Sequence, residues 1–226
     1  MLNKQILLTF AVLVFSLVLF EITSIDIWLQ DHFYNFELKQ WLVNRDEEIP
    51  RFIFYDGIKK LLVIFFVLLL LALIFSNKSQ RLQTYKQGLL IVCVSAMLVP
   101  LGIVSLKAET NTPCPANISR YGGDYPYITV FQKYPDDFHQ TSKIKCFPAG
   151  HASGGFAFLS LFFLFRGRRN KLLALASALI AGWGMGAYKM LIGDHFLSHT
   201  VVAMVLSWLI ILLIAKAVYW KQVFER

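Results

Sequence analysis

Six long apolar runs restrict the folds that are open to this 226-residue chain. About 20 apolar residues in a helix cross the hydrocarbon core of a bilayer. A segment in lipid must also satisfy its backbone hydrogen bonds internally, which favours helices. The sequence therefore predicts an all-α, polytopic membrane protein, a six-helix transmembrane bundle with spans at residues 5–25, 61–75, 88–106, 152–165, 172–191 and 199–219.

The composition agrees with a membrane protein, since 57% of the residues are hydrophobic and 16% are charged. Soluble domains carry about 25% charged residues. In a soluble protein the net charge of +8 would hint at nucleic acid. Here Lys and Arg cluster beside the apolar runs, where membrane topology explains them better, so no nucleic-acid partner is predicted. Without a Gly/Ser linker or an internal repeat, residues 1–226 are interpreted as one domain.

The distribution of Lys and Arg also predicts an orientation. Basic clusters in the connections 77–86 and 166–171, and at the C-terminal end, place these parts and both termini in the cytoplasm. The polar segments 26–60 and 108–150 and the turn 192–198 then lie outside the membrane on the opposite face. In a bacterial inner membrane, this face is the oxidising periplasm.

The two long outer segments differ in composition. Segment 26–60 is rich in aromatic residues of mixed charge, which favours short amphipathic helices at the interface over a solvated loop. Segment 108–150, between the third and fourth spans, contains several prolines and a Gly-Gly pair, which predict a loop. Loops of this length in compact domains are usually functional or disordered.

Two of the three cysteines, Cys114 and Cys146, bracket the second outer segment. Because this segment faces an oxidising compartment, the two are predicted to form a disulfide. The alternatives are two reduced thiols or a metal site shared with His139, although no spacing supports a metal. Cys93 lies in an apolar run and is interpreted as packing.

The motif Pro148-Ala149-Gly150-His151 lies where the outer loop meets the fourth apolar run. His151 is therefore expected near a helix N-terminus, where free N–H groups and the helix dipole favour an anion. An imidazole beside an anion site suggests acid–base chemistry on a phosphate. The alternative is a capped helix start with an incidental histidine.

Other titratable residues are expected at the outer ends of different spans: Lys107, Lys189, His195 and His199. Each signal is weak alone, since a lysine at a span end is usually snorkelling. Together they fit phosphoryl transfer. Lysines neutralise phosphate oxygens, one histidine attacks phosphorus, and another protonates the leaving oxygen.

In these motifs the chain resembles the type 2 phosphatidic acid phosphatase superfamily. The pattern of that family is Lys-x6-Arg-Pro, then Pro-Ser-Gly-His, then Ser-Arg-x5-His-x3-Asp, and the resemblance extends from Lys107 to the end of the sixth span. It implies that His195 is the nucleophile that forms a phosphohistidine and that His151 is the general acid. Lys107, Lys189 and the Gly150 backbone would bind the phosphate.

This sequence departs from the family pattern at several phosphate-binding positions. Cys114 replaces the first Arg, Ala149 replaces Ser, and Lys189 replaces the second Arg, which loses a bidentate fork and keeps the charge. Arg120 is expected to replace the lost Arg if the disulfide folds the loop inward.

The residue that orients the nucleophile also differs. His199 stands where the family has Asp, and a neutral His199 could accept the hydrogen bond from His195. Asp194 is a second candidate for this role, although its adjacent position directs it elsewhere on a helix.

The resemblance implies an integral membrane phosphatase that acts on a lipid phosphate monoester or diphosphate at the outer face of the inner membrane. Candidate substrates are phosphatidic acid, phosphatidylglycerol phosphate, undecaprenyl diphosphate and a lipid A phosphate. Neither a metal nor another cofactor is expected, because the cationic side chains neutralise the phosphate. The alternatives are a phosphotransferase between lipids and a catalytically impaired lipid-phosphate binding protein. A transporter is disfavoured, because ionisable residues are scarce deep inside the apolar runs.

Overall fold

The computed structural model describes the backbone of residues 2–224 and the side chains of residues 2–220. It is mostly helical. The α-helices are α1 (Leu2–Ile22), α2 (Ile25–Asp31), α3 (Glu48–Arg51), α4 (Ile58–Ile74), α5 (Gln80–Gln83), α6 (Lys86–Glu109), α7 (Gly150–Phe156), α8 (Arg168–Leu191) and α9 (Leu197–Phe224). Five helical segments in the described part of the chain are long and apolar enough to cross a membrane: Leu2–Ile22, Glu48–Lys78, Lys86–Glu109, Arg168–Leu191 and Leu197–Trp220.

Five of the six predicted spans coincide with these segments, and the prediction at residues 152–165 differs. Here α7 is continued by a 3₁₀ helix, Ala157–Phe163, instead of a regular α-helix. Ser153 and Ser160 each donate a side-chain hydrogen bond to the carbonyl three residues earlier. This segment is largely buried in the main core cluster of the bundle, so tertiary packing outweighs the preference for a regular helix.

Small residues let α7 approach α8 closely, as the four-residue spacing of Ala and Gly in α8 predicts. A Cβ atom on Gly155 would lie 2.5 Å from the backbone nitrogen of Gly182, and one on Gly182 would collide with the Phe156 ring. Gly186 makes the equivalent approach to Thr200 of α9. These small residues therefore let α7, α8 and α9 pack closely against one another. His151 lies on α7, His199 on α9, and His195 in the turn between α8 and α9.

Residues 32–47 contain an element that the sequence did not predict. Strands β1 (Tyr34–Asn35) and β2 (Gln40–Trp41) form an antiparallel hairpin with Tyr34 opposite Trp41. The Asn35 side chain accepts hydrogen bonds from the backbone N–H groups of Glu37 and Leu38 and thereby stabilises the turn. The expected amphipathic helices are thus limited to α2, α3 and a π-helix at Phe52–Gly57 that leads into α4.

The loop between α6 and α7 is ordered by its own contacts. The predicted disulfide between Cys114 and Cys146 is present, with a Cα–Cα distance of 5.4 Å. Asn111 and Gln140 exchange two side-chain hydrogen bonds, of 2.7 and 2.8 Å, across the loop. The Tyr121 ring packs in a T-shaped contact on Tyr34 of the hairpin. Hairpin and loop therefore form one structured cover over the helix ends.

Candidate active site

The sequence-predicted residues converge at one end of the bundle. Lys107 lies in the last turn of α6 and Lys189 in the last turn of α8. His151 is the second residue of α7, and His199 is the third residue of α9. His195 lies in the turn between α8 and α9, so a single region receives side chains from four helix ends.

The turn after α8 holds His195 in place. Gly193 has a φ of +77°, a left-handed conformation in which a side chain would be strained and would also collide with Trp41 of the hairpin. The backbone N–H groups of Asp194 and His195 both donate to the carbonyl of Lys189, at 2.7 and 3.2 Å. The C-terminal cap of α8 thus fixes the backbone of His195.

The rings of His151 and His195 face one another with their centroids 6.2 Å apart. His195 is 2% exposed, and its Nε2 atom is buried without a hydrogen-bond partner among the described residues. The Nδ1 atom of His151 is likewise buried and unpartnered within the described part of the chain. Buried polar nitrogens are normally paired, so two unpaired ones on facing rings indicate a ligand site.

The other ring nitrogen of His195 has neighbours. Its Nδ1 atom lies 3.4 Å from Nδ1 of His199 and 3.6 Å from the disulfide sulfur of Cys146. The His199 ring also contacts the backbone of Cys146 and is 1% exposed. Burial lowers the pKa of His195 well below its usual range, and the positive charges of Lys107 and Lys189 act in the same direction. The His195 imidazole is therefore neutral at pH 7, with a lone pair on one nitrogen.

Cationic groups surround the two rings. The Lys189 ammonium is 2.8 Å from a carboxylate oxygen of Asp194, which also pairs with the exposed Arg45. The same ammonium lies 4.5 Å from the centroid of the Tyr55 ring, a cation–π distance. The Lys107 side chain passes beside Gly150, where a Cβ atom would be 3.9 Å from Lys107 Cδ. Such a cluster attracts an anion.

Arg120 is held elsewhere, so the structure does not support its predicted role as a phosphate ligand. Its guanidinium forms two hydrogen bonds, of 2.8 and 2.7 Å, with the Asp31 carboxylate and lies over the Phe36 ring. The hydrogen bonds from Arg120 hold the pKa of Asp31 below its usual value. The bidentate pair of Arg120 and Asp31 therefore links the outer loop to α2.

Three potential metal-ligating atoms, on Cys146, His195 and His199, lie within 4.8 Å of one another. The sulfur of Cys146 is bonded to Cys114, so this group offers no thiolate while the disulfide is intact. His139, which the sequence offered as an alternative ligand, is exposed and is not a member of this group.

An apolar cavity of about 340 Å³ opens beside His151. It runs between α4, α6 and α7, and its lining includes Tyr55, Lys59, Leu62, Phe66, Pro100 and Phe158. Cavities of about 300–1,000 Å³ with a few polar groups are typical of small-molecule sites. The lining of the cavity therefore combines His151 with mostly apolar side chains of the membrane helices.

Sequence reasoning missed the contributions of segment 26–60. Tyr55 packs edge-on against His151 with centroids 5.0 Å apart and also contacts Lys189. Arg45 pairs with Asp194 on the outer side. The aromatic and basic residues of this segment predicted an interface, but no motif connected them with His151, Lys189 or Asp194, which are distant in the sequence.

These observations define an integral membrane protein with a histidine-containing, cationic site at the ends of its helices. The sequence profile of the PAP2 superfamily matches residues 88–222, so the chain belongs to that superfamily. A lipid A 4'-phosphatase of Francisella tularensis subsp. novicida (strain U112) is 27% identical over 225 residues, covering 96% of this chain and 97% of the relative. The family and this relative support a lipid phosphatase at the family level. No solved structure gave a significant match.

Proposed function

We propose that the protein hydrolyses the phosphate monoester of a membrane lipid through a phosphohistidine on His195. The observation that carries the proposal is the pair of buried, unpartnered nitrogens on His195 and His151, on rings 6.2 Å apart within a cationic cluster. This separation lets one tetrahedral phosphoryl group contact both rings.

In the first step, Nε2 of His195 attacks phosphorus and the bond to the lipid oxygen breaks. The bound phosphate anion favours the protonated form of His151, which donates a proton to that oxygen, and the lipid leaves as an alcohol. In the second step, His151 accepts a proton from water, the water oxygen attacks the phosphohistidine, and inorganic phosphate is released. Splitting the reaction in this way replaces one difficult step with two easier ones.

His199 takes the role of the missing carboxylate in this proposal. With a proton on Nδ1 of His195 and a lone pair on Nδ1 of His199, their 3.4 Å separation fits a hydrogen bond that leaves Nε2 of His195 free for attack. A neutral imidazole is a weaker acceptor than a carboxylate. Lys107, Lys189 and the backbone of Gly150 bind the phosphate oxygens, and Arg45 joins them in place of Arg120.

The apolar cavity beside His151 favours a lipid over a soluble phosphate ester. In this proposal an acyl chain lies between α4, α6 and α7 while the phosphate remains at the helix ends. Since a relative of nearly the same length is a lipid A 4'-phosphatase, we propose the 4'-phosphate of lipid A as the first substrate to test. The comparators are phosphatidic acid, phosphatidylglycerol phosphate and undecaprenyl diphosphate.

We further propose that residues 1–226 act as one domain with six membrane segments, the short α7 segment included. Both termini lie in the cytoplasm, and the site faces the periplasm of a bacterial inner membrane. The basic connections and the disulfide support this orientation. The reaction needs no metal, because lysines neutralise the phosphate.

The test is phosphate release by purified full-length protein in nanodiscs, with each lipid as substrate. His195→Ala should abolish turnover, and a rapid quench into alkaline denaturant should trap phosphate on the peptide that contains His195. His139→Ala is the matched control, since this exposed histidine lies outside the site. Full turnover by His195→Ala would refute the assigned nucleophile, and lipid binding without turnover would identify a binding protein instead.

A further inference from the structure

A buried carboxylate lies behind the histidine pair. Asp26 of α2 is 5% exposed, although it follows directly after the first membrane helix. It lies outside residues 88–222, which carry the family match. Buried charged groups are rarely kept without a partner, so the contacts of Asp26 need an explanation.

Asp26 holds the start of the helix that carries His199. Its Oδ1 atom accepts a hydrogen bond of 2.8 Å from the backbone N–H of Ser198, and the Ser198 hydroxyl also contacts the carboxylate. Helix N-termini leave backbone N–H groups without intrahelical partners. Asp26 therefore acts as a cap from another element and fixes the first turn of α9.

A small cavity connects Asp26 with His199. Both residues line a cavity in which the centre of a water molecule can occupy a volume of about 20 Å³. Thr112 and Tyr127 add polar groups to its wall. A polar cavity of this size holds a water when two to four partners are available. Nδ1 of His199 faces His195, and the ring also contacts the Cys146 backbone, so we assign Nε2 as the nitrogen that meets a partner in this cavity.

We propose that Asp26, acting through one water molecule in this cavity, polarises His199 and thereby orients and activates His195. Asp26 is a positioning residue in this scheme, and the inference rests on the proposed function. The water accepts the Nε2 proton of His199 in a hydrogen bond and donates one to Asp26. Nδ1 of His199 then accepts from Nδ1 of His195. The carboxylate that the family motif supplies at position 199 is thus provided by a different part of the chain.

The scheme has a pH dependence. Burial raises the pKa of Asp26 to about 6, and the hydrogen bonds from Ser198 act in the opposite direction. The titratable groups that face this site from other elements are Glu21 of α1, Tyr127 of the loop and His199 of α9. Since only the ionised carboxylate stabilises a positive charge on the histidines, kcat should rise with pH through about 6.

The experiment compares Asp26→Asn with the wild type in nanodiscs. The amide oxygen of Asn can still accept the Ser198 N–H, so the cap is kept while the charge is removed. We expect a fall in kcat of roughly tenfold to a hundredfold, little change in KM and loss of the rise near pH 6. Asp31→Asn is the matched control on the same helix, with unchanged kcat. A wild-type kcat and pH profile in Asp26→Asn would overturn the inference.

A second readout separates this inference from the proposed function. Nitrogen-15 NMR of labelled histidines reports the tautomer of His199 without turnover. The wild type should show a proton on Nε2 of His199, and Asp26→Asn should shift that signal. If the wild type hydrolyses no lipid, the proposed function fails, and the NMR comparison still decides the role of Asp26. An identical His199 signal in the two proteins would refute it.

Discussion

Reduction of the Cys114–Cys146 disulfide should disable the site without disturbing the membrane helices. The bond joins residues 32 positions apart and places Cys146 against the rings of His195 and His199. Three residues after Cys146, Ala149 donates a backbone hydrogen bond of 3.0 Å to the carbonyl of His199. The ordered loop is thus one wall of the histidine pair.

The free energy that the disulfide contributes to stability follows from the length of the loop that it closes. For a separation of 32 residues, the chain-entropy relation gives about 3.7 kcal/mol at 25 °C. The remaining loop anchors, such as the Asn111–Gln140 amide pair, contribute about 1 kcal/mol each. The stabilisation lost with the disulfide therefore exceeds the contribution of any single anchor, and the loop should open locally. Displacing a reacting group by about 1 Å can lower the rate by roughly a hundredfold.

The assay is lipid-phosphate release by purified protein with and without a phosphine reductant, with thermal unfolding measured in parallel. The Cys114→Ser/Cys146→Ser double variant should reproduce the reduced state. Cys93→Ala is the matched control, because Cys93 is free and buried in the bundle, so this variant should keep its sensitivity to reductant. Unchanged turnover and unfolding temperature after verified reduction would show that the disulfide does not hold the site.

Three further results are expected. Tyr55→Ala should raise KM about threefold to thirtyfold by removing the cation–π contact with Lys189, whereas Tyr55→Phe should stay close to the wild type in the same kinetic assay. Arg120→Ala should lower the unfolding free energy by about 1 kcal/mol or less, because its pair with Asp31 is partly exposed, and leave kcat unchanged, in contrast to a phosphate ligand. Turnover measured after extensive chelation should equal that of untreated protein, and restoration by added metal would contradict the metal-free scheme.

Hydropathy and charge predicted the parts of this fold that depend on a continuous stretch of sequence. Apolar runs located the five long helices, because a membrane span has to be continuous in sequence. The disulfide was predicted from the expected outer location of both cysteines, and the structure confirms the Cys114–Cys146 bond. The structure also brings His151 and His195 together, and the functional roles of these residues stay predictions.

The remainder depends on contacts that leave no pattern in the sequence. The irregular α7 segment has an apolar sequence like any span, and only its burial shows why it departs from a regular helix. The hairpin lacks the usual two-residue turn signal. The sequence suggested Arg120 as a replacement for the lost arginine of the motif, whereas the structure pairs its guanidinium with Asp31. Tertiary partners decided each of these outcomes.

The departures from the family motif and the contributions of the N-terminal part are best understood together. Position 114 lacks the arginine of the motif, and Arg45 instead joins Lys189 at Asp194. Position 199 lacks the carboxylate, and Asp26 shares a cavity with His199. In the proposed scheme, both residues that compensate for these departures precede the matched region 88–222. In this scheme, a change in either half of the chain has to be compatible with the other half.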